Sequence, residues 1–148
     1  MNTKLINESG LAECATLFSE VFNQEPWNEK WTVESALSRL TCYQKSPNFV
    51  GISAQIDGEL IGFIFGNYEP FQSQRLYLLK EMCVRKAHQG QGVGSELLKS
   101  LHFELAEQGV NIVNLLTRIG GQAESFYLKN GYRQAQSMGL YVGETRGS

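Results

Sequence analysis

Apolar residues recur at two different periods along this chain, and the places where the period changes mark its elements. Thr3 to Ile6 reads as a short strand. Gly10 and Leu11 then open a helix whose apolar positions Leu11, Ala15, Phe18 and Phe22 share one face. Glu25-Pro26-Trp27 breaks it, because proline disfavours helix in the residue before it. Thr32 reads as the N-cap of a second helix, with Glu34 and Ser35 in its first turn and Val33, Ala36, Leu37, Leu40 and Tyr43 as its apolar positions. After Ser46-Pro47-Asn48 the period drops to two: Phe49, Gly51, Ser53 and Gln55 alternate with Val50, Ile52, Ala54 and Ile56, the pattern of a strand. Asp57-Gly58 is a hairpin signal, and Leu60 to Gly66 forms the return arm. A loop over 67–73 leads to a further strand from Leu76 to Val84. Val93, Leu97, Leu98, Leu101 and Leu105 then predict a long helix that stops at Gly109. Asn111 to Thr117 is an apolar run suited to a strand buried on both faces. Ala123 to Lys129 reads as a short helix closed by Asn130-Gly131, and Tyr132–Ser137 and Leu140–Val142 as weak final strands. The order is β-α-α-β-β-β-α-β-α-β-β, an α+β chain whose antiparallel meander feeds a βαβ unit with parallel flanking strands.

Composition narrows the function classes. With 148 residues, 42% hydrophobic and 19% charged, the chain suits one folded domain rather than a disordered one. The net charge of −2 comes with scattered lysines and arginines, so no basic face points to nucleic acid. No apolar run reaches membrane-spanning length, and the polar start from Met1 to Glu8 does not resemble a signal peptide. Cys14, Cys42 and Cys83 are far apart and odd in number, which argues for reduced thiols in a cytoplasm and against a zinc site or disulfides. Each cysteine sits in an apolar pattern, where a small buried hydrophobe is its commoner role.

The stretch from Glu81 to Leu98 carries the candidate chemistry. Between strand and helix stand Gln89-Gly90-Gln91-Gly92-Val93-Gly94-Ser95, with glycines at alternate positions. Without Cβ atoms the backbone N–H groups can converge on one anion, at a helix start whose dipole favours negative charge. No lysine follows as a Walker A loop requires, and Ser95 stands where the dinucleotide fingerprint needs its third glycine. A phosphate cradle is the reading; a glycine-rich helix entry without ligand is the alternative for the loop alone.

Gln89-x-x-Gly92-x-Gly94 resembles the acyl-CoA pyrophosphate signature of the GNAT N-acetyltransferase superfamily. About thirty residues on, Ala123-x-x-Phe126-Tyr127-Leu128-Lys129-Asn130-Gly131-Tyr132 resembles the second motif of that family. The resemblance covers nearly the whole chain. It implies a central mixed, mostly antiparallel sheet with helices on both faces and a V-shaped splay between the fourth and fifth strands. It also implies a single acetyltransferase domain over residues 1–148; the last residues, 145–148, read by themselves as a disordered tail or, at Gly147-Ser148, a cloning remnant.

By the same resemblance, acetyl-CoA is the acyl donor and no metal is needed. Gln89 to Ser95 surround its pyrophosphate, Met82, Cys83 and Val84 line its pantetheine arm, and Phe126 and Tyr127 lie at the donor site. Arg85 and His88 add charge near the phosphates or serve only the surface. Family members often carry an asparagine seven residues before the tyrosine, where this chain has Gly120. The reaction is direct attack of a primary amine, from a small molecule or peptide, on the acetyl carbonyl. The Val84 N–H polarises that carbonyl, Tyr127 gives the leaving thiolate its proton, and Glu81 accepts the ammonium proton. Tyr127 could instead be a packing aromatic and Glu81 a paired strand carboxylate; Glu69 is a second choice of base. Phe22, Glu25, Trp27, Trp31, Glu81 and Tyr141 frame the acceptor, by cation–π and charge contacts or, for the tryptophans, by stapling the helix connection to the core. A CoA-binding sensor without turnover is the alternative function. A second copy of the chain is the partner suggested by apolar C-terminal strands.

Overall fold

The Asp57-Gly58 signal is met by a tight turn in which both residues take positive φ, 51° and 81°. It joins β2 (Phe49–Ile56) to β3 (Glu59–Phe71). The structure is a computed structural model and describes residues 1–146. Gly147 and Ser148, part of the expected tail, lie outside the described residues. The chain divides into two compact units, Met1–Leu116 and Thr117–Ser148.

The first unit holds a five-stranded sheet in the order β1-β2-β3-β4-β5, with β1 (Asn2–Leu5), β4 (Gln74–Val84) and β5 (Ile112–Asn114). The first three pairings are antiparallel, and β4 with β5 is parallel, as a helical crossover requires. Alternation along β3 sends successive side chains to opposite faces. Phe63 and Phe65 join the cluster formed by α1 (Leu11–Phe22) and α2 (Val33–Lys45), which includes Leu17, Phe18 and Leu40. Gly62, in the opposite phase of the strand, faces Val93 and Leu97 of α3 (Val93–Glu107). Helices therefore cover both faces. All five apolar positions expected on α3 are buried. Thr32 caps α2 in a reciprocal box: its Oγ1 accepts from the Ser35 N–H at 2.9 Å, and Ser35 Oγ accepts from the Thr32 N–H at 3.0 Å.

The expected loop at 67–73 is strand instead. β3 continues to Phe71, turns at Gln72-Ser73 and pairs with β4 all the way back. Asn67, a loop-favouring residue by type, sits in this ladder, and its side-chain amide donates to the Tyr43 carbonyl at 2.9 Å, tying the end of α2 to β3. β5 is shorter and more exposed than its apolar run suggests. Its ladder spans three pairs, Leu76↔Ile112 to Leu78↔Asn114, and beyond Leu78 β4 runs six residues further paired with β3. With one neighbour over one turn of pleat, β5 cannot be buried on both faces, and Ile112 and Leu116 are exposed. Val33, assigned to the buried face of α2, is half exposed as well.

In the second unit, α4 (Gln122–Lys129) ends at Asn130 and Gly131, the latter at φ 90°. Tyr127 is buried there, edge-on to Phe126 at 5.1 Å and tilted against Tyr132 at 5.5 Å. The Tyr132 N–H donates to the Tyr127 carbonyl at 3.0 Å. The two final strands expected over 132–137 and 140–142 do not form among the described residues. A strand needs a neighbour to satisfy its backbone; the alternation of side chains does not supply one.

Candidate functional site

Glu81 owes its position to a bulge. Gly66 pairs with Leu79 and Phe65 pairs with Glu81, so Lys80 is an extra residue in β4 with no opposite number. Such an insertion bends and twists a strand and re-aims the side chains after it. Here Lys80 is exposed while Glu81 is turned inward, 9% exposed. Gly66 permits the bulge, since a Cβ there would collide with the Leu78 carbonyl oxygen.

The Glu81 carboxylate meets α2. Arg39 Nε donates to Glu81 Oε1 at 2.7 Å, forming an ion pair. Burial pushes the Glu81 carboxyl above its ordinary value, and the Arg39 hydrogen bond and charge oppose that rise only in part. Oε2 has no hydrogen-bond partner, and no buried side-chain oxygen among the described residues lacks one, so Oε2 opens to solvent. It opens into a cleft of about 710 Å³ walled by Phe18, Phe22 and Trp31 and rimmed by Glu29, Lys30 and Ser35. The wall is rigid: Phe18 lies 4.7 Å from Phe22 and edge-on to Trp31 at 5.0 Å. Trp31 is held from both sides of its peptide by Asn23, whose amide donates to the Trp31 carbonyl at 2.8 Å and whose oxygen accepts the Trp31 N–H at 2.7 Å. The indole N–H donates to Glu29 Oε1 at 2.7 Å.

Three residues past Glu81, β4 ends at an open edge. The Arg85 N–H donates to the Ile61 carbonyl at 2.7 Å, which sets the phase of the ladder. Residues two apart share a side, so Cys83 points its backbone at β3, while Val84 and Met82 point theirs at the opposite edge, past the end of β5. The Val84 carbonyl accepts Gln89 Nε2 at 2.9 Å, and among the described residues its N–H has no acceptor. Gln89 thus fastens the glycine loop to the end of β4. Gly90 and Gly92 take φ 75° and 85°, a region costly for any other residue. The first backbone bond of α3 runs from the Glu96 N–H to the Gly92 carbonyl at 3.1 Å. Ahead of it, Gly90 to Gly92 form tight turns that lead straight into the helix start. The N–H groups at a helix start fit a phosphate, and nothing lies within 4 Å of where a Cβ at Gly90 or Gly92 would stand.

The structure therefore brings Phe22, Trp31 and Glu81 to one cleft and Val84 and Gln89 to Ser95 to one adjoining loop. Trp27 packs edge-on to Phe22 at 5.1 Å outside the cleft lining, and Glu25 is exposed beside it. Cys83 stands apart from the open edge, in the α1–α2 core, with its thiol pushed well up by burial. Arg85 is committed elsewhere: its guanidinium donates to the Leu60 carbonyl at 3.0 Å and to Glu20 at 2.9 Å. Glu69 is exposed at the far end of β3. Phe126, Tyr127 and Tyr141 belong to the second unit, where Tyr141 is 92% exposed. Gly120, in the place of the asparagine, donates its N–H to Glu124 Oε1 at 2.9 Å. Sequence reasoning missed Arg39, Asn23 and Glu29. Ser35, Arg39 and Tyr43 are spaced by four on α2, in line with Trp31 just before its cap, a stripe that was the available signal.

Known proteins share this arrangement of elements. A curated acetyltransferase of Sodalis glossinidius (strain morsitans) is 25% identical over 140 residues, covering 93% of this chain and 91% of its own. The structure of a possible acetyltransferase from Clostridium difficile 630 matches with TM-score 0.82 at 10% identity, over 99% of this chain and 98% of that one. The aminoglycoside acetyltransferase AAC(6')-Iy, solved with a CoA-containing bisubstrate analog, matches with TM-score 0.75 at 14% identity, over 97% of each chain. Such low identities speak to the fold. The family model described as an acetyltransferase (GNAT) domain matches residues 47–134, more than half of the chain and the whole stretch from β2 through α4. The chain belongs to the GNAT acetyltransferase family.

Proposed function

We propose that the protein is an acetyl-CoA-dependent N-acetyltransferase acting on a primary amine. One observation carries the reading: β4 presents a half-neutralised carboxylate to an aromatic cleft and, three residues later, an unbonded N–H beside a glycine loop that opens a helix. Donor and acceptor sites thus adjoin on a single strand. Acetyl-CoA supplies an acetyl group already activated as a thioester. The cradle from Gly90 to Ser95 holds its pyrophosphate, and the Val84 N–H hydrogen-bonds the carbonyl oxygen as negative charge grows there. Glu81, through Oε2, takes a proton from the acceptor ammonium so that the nitrogen lone pair is free to attack; its raised pKa suits a base of this kind. As the new C–N bond forms and the C–S bond breaks, the proton needed by the departing thiolate is assigned to Tyr127, from its place in the second family motif. A hydroxyl acceptor fits less well, since a carboxylate in the cleft favours a cation.

The test is a thermal-shift titration with CoA and acetyl-CoA, followed by thiol release over a panel of amines. A saturable shift that weakens about tenfold in Gly92→Val, with thiol release that needs an amine, is the expected result. A shift with no turnover on any amine would favour a CoA-binding sensor, and no shift would remove the cradle reading.

A further inference from the structure

The cleft carries a positive group that base catalysis does not require. Arg39 has five N–H donors, and the structure gives the guanidinium one hydrogen bond, from Nε to Glu81 Oε1. Its carbon lies 5.7 Å from the Trp31 ring centroid and 5.5 Å from that of Tyr43, so the plane is pinned between two aromatics. The side chain is 42% exposed and lines the cleft, beside the open oxygen of Glu81. The terminal nitrogens of an arginine form a rigid fork that matches a carboxylate with two parallel hydrogen bonds.

The charges around the cleft agree with this. Two acids, Glu29 and Glu81, are balanced by two bases, Lys30 and Arg39. One oxygen of Glu29 is engaged by the Trp31 indole and one oxygen of Glu81 by Arg39 itself. A polycation such as an aminoglycoside would meet Arg39 and Lys30 with little uncommitted negative charge to receive it. An amine that also bears a carboxylate would satisfy both halves of the pair.

Resting on the acetyl-transfer reading above, we infer that the acceptor is amphoteric, an amino acid or short peptide whose carboxylate is held by the Arg39 fork while its amine faces Glu81. The walls of Phe18, Phe22 and Trp31 select an apolar or aromatic side chain on it. No covalent step is added: the carboxylate positions the amine and leaves unchanged.

Matched probes test this: L-phenylalanine, glycyl-L-phenylalanine and their C-terminal amides, with spermidine as the polycation. Thiol release is read as kcat/KM for wild type, Arg39→Met, which keeps the stem between the rings, and Arg39→Lys, which keeps the charge but not the fork. The CoA-induced thermal shift of each sample reports folding and the donor site. The expected result is a preference of roughly 30-fold for the acid over its amide in wild type, the size of a charged bidentate contact. That ratio should fall towards one in Arg39→Met and to an intermediate value in Arg39→Lys. Amides or spermidine turned over as well as the acids, or a ratio unchanged in Arg39→Met, would overturn the carboxylate assignment and leave acetyl transfer standing. A normal CoA shift with no turnover of any probe or of the wider amine panel would overturn acetyl transfer, and this inference with it.

Discussion

Replacing Gly66 by alanine tests whether the β4 bulge builds the site. The added Cβ would overlap the Leu78 carbonyl oxygen and come within 3.0 Å of both the Leu78 carbonyl carbon and Tyr77 Cζ. Neither neighbour can move freely. The first is backbone of a central strand, and Tyr77 is fully buried, with its hydroxyl donating to the Val50 carbonyl at 2.7 Å. The ladder must open instead, which forfeits about two hydrogen bonds near 1 kcal/mol each and leaves a buried carbonyl unpaired at about 1–3 kcal/mol more. A total of about 3–5 kcal/mol is a large part of the roughly 5–15 kcal/mol that holds a domain of this kind. Gly58→Ala is the control, because nothing lies within 4 Å of its Cβ and only the φ of 81° is strained, worth about 1–2 kcal/mol. Urea unfolding followed by far-ultraviolet circular dichroism gives both values by linear extrapolation. Because the bulge re-aims Glu81, the folded Gly66→Ala fraction at low temperature should also transfer acetyl groups poorly while still giving a CoA-induced shift. A Gly66→Ala cost no larger than that of Gly58→Ala would refute the steric reasoning. Full transfer activity would refute the link between bulge and base.

Two further outcomes follow from the titrating groups. The folded pKa of Glu81 is raised, so its contribution to stability is present below the ordinary carboxyl pKa and is lost as pH rises through the folded value. Glu81→Gln carries no such dependence; its melting temperature relative to wild type should climb between pH 4 and 7, while acetyl transfer falls about 100-fold. A relative melting temperature that fell over that range would show the carboxylate to be net stabilised by Arg39. Among the cysteines, burial pushes the Cys14 thiol up to about 12 and the Cys83 thiol well up, whereas Cys42 is exposed on α2. Ellman's reagent at pH 8 should therefore count one thiol in the native protein and three after unfolding in urea; three fast thiols before unfolding would contradict the packing of α1 on β4.

What could be read along the chain was whatever is decided within about four residues. The Thr32–Ser35 box, the Asp57-Gly58 turn, the apolar face of α3 and the glycines at positive φ ahead of it are such features, because caps, turns and helix faces are short-range physics. The same stretch also carried the proposed cradle, read from its alternating glycines, and Glu81 a few residues ahead of it. Tertiary structure decided which side chains meet. Arg39 and Glu81 are 42 positions apart, and their pairing depends on how α2 crosses the sheet. The extra residue in β4 exists only in the register against β3, so no pattern within β4 could reveal it. Asn23 holds Trp31 because the chain doubles back between α1 and α2, which turned two tryptophans of similar promise into one that lines the cleft and one that packs outside it. The expected strands after α4 failed for the same reason in reverse. Alternating side chains propose a strand, but only a neighbouring backbone makes one.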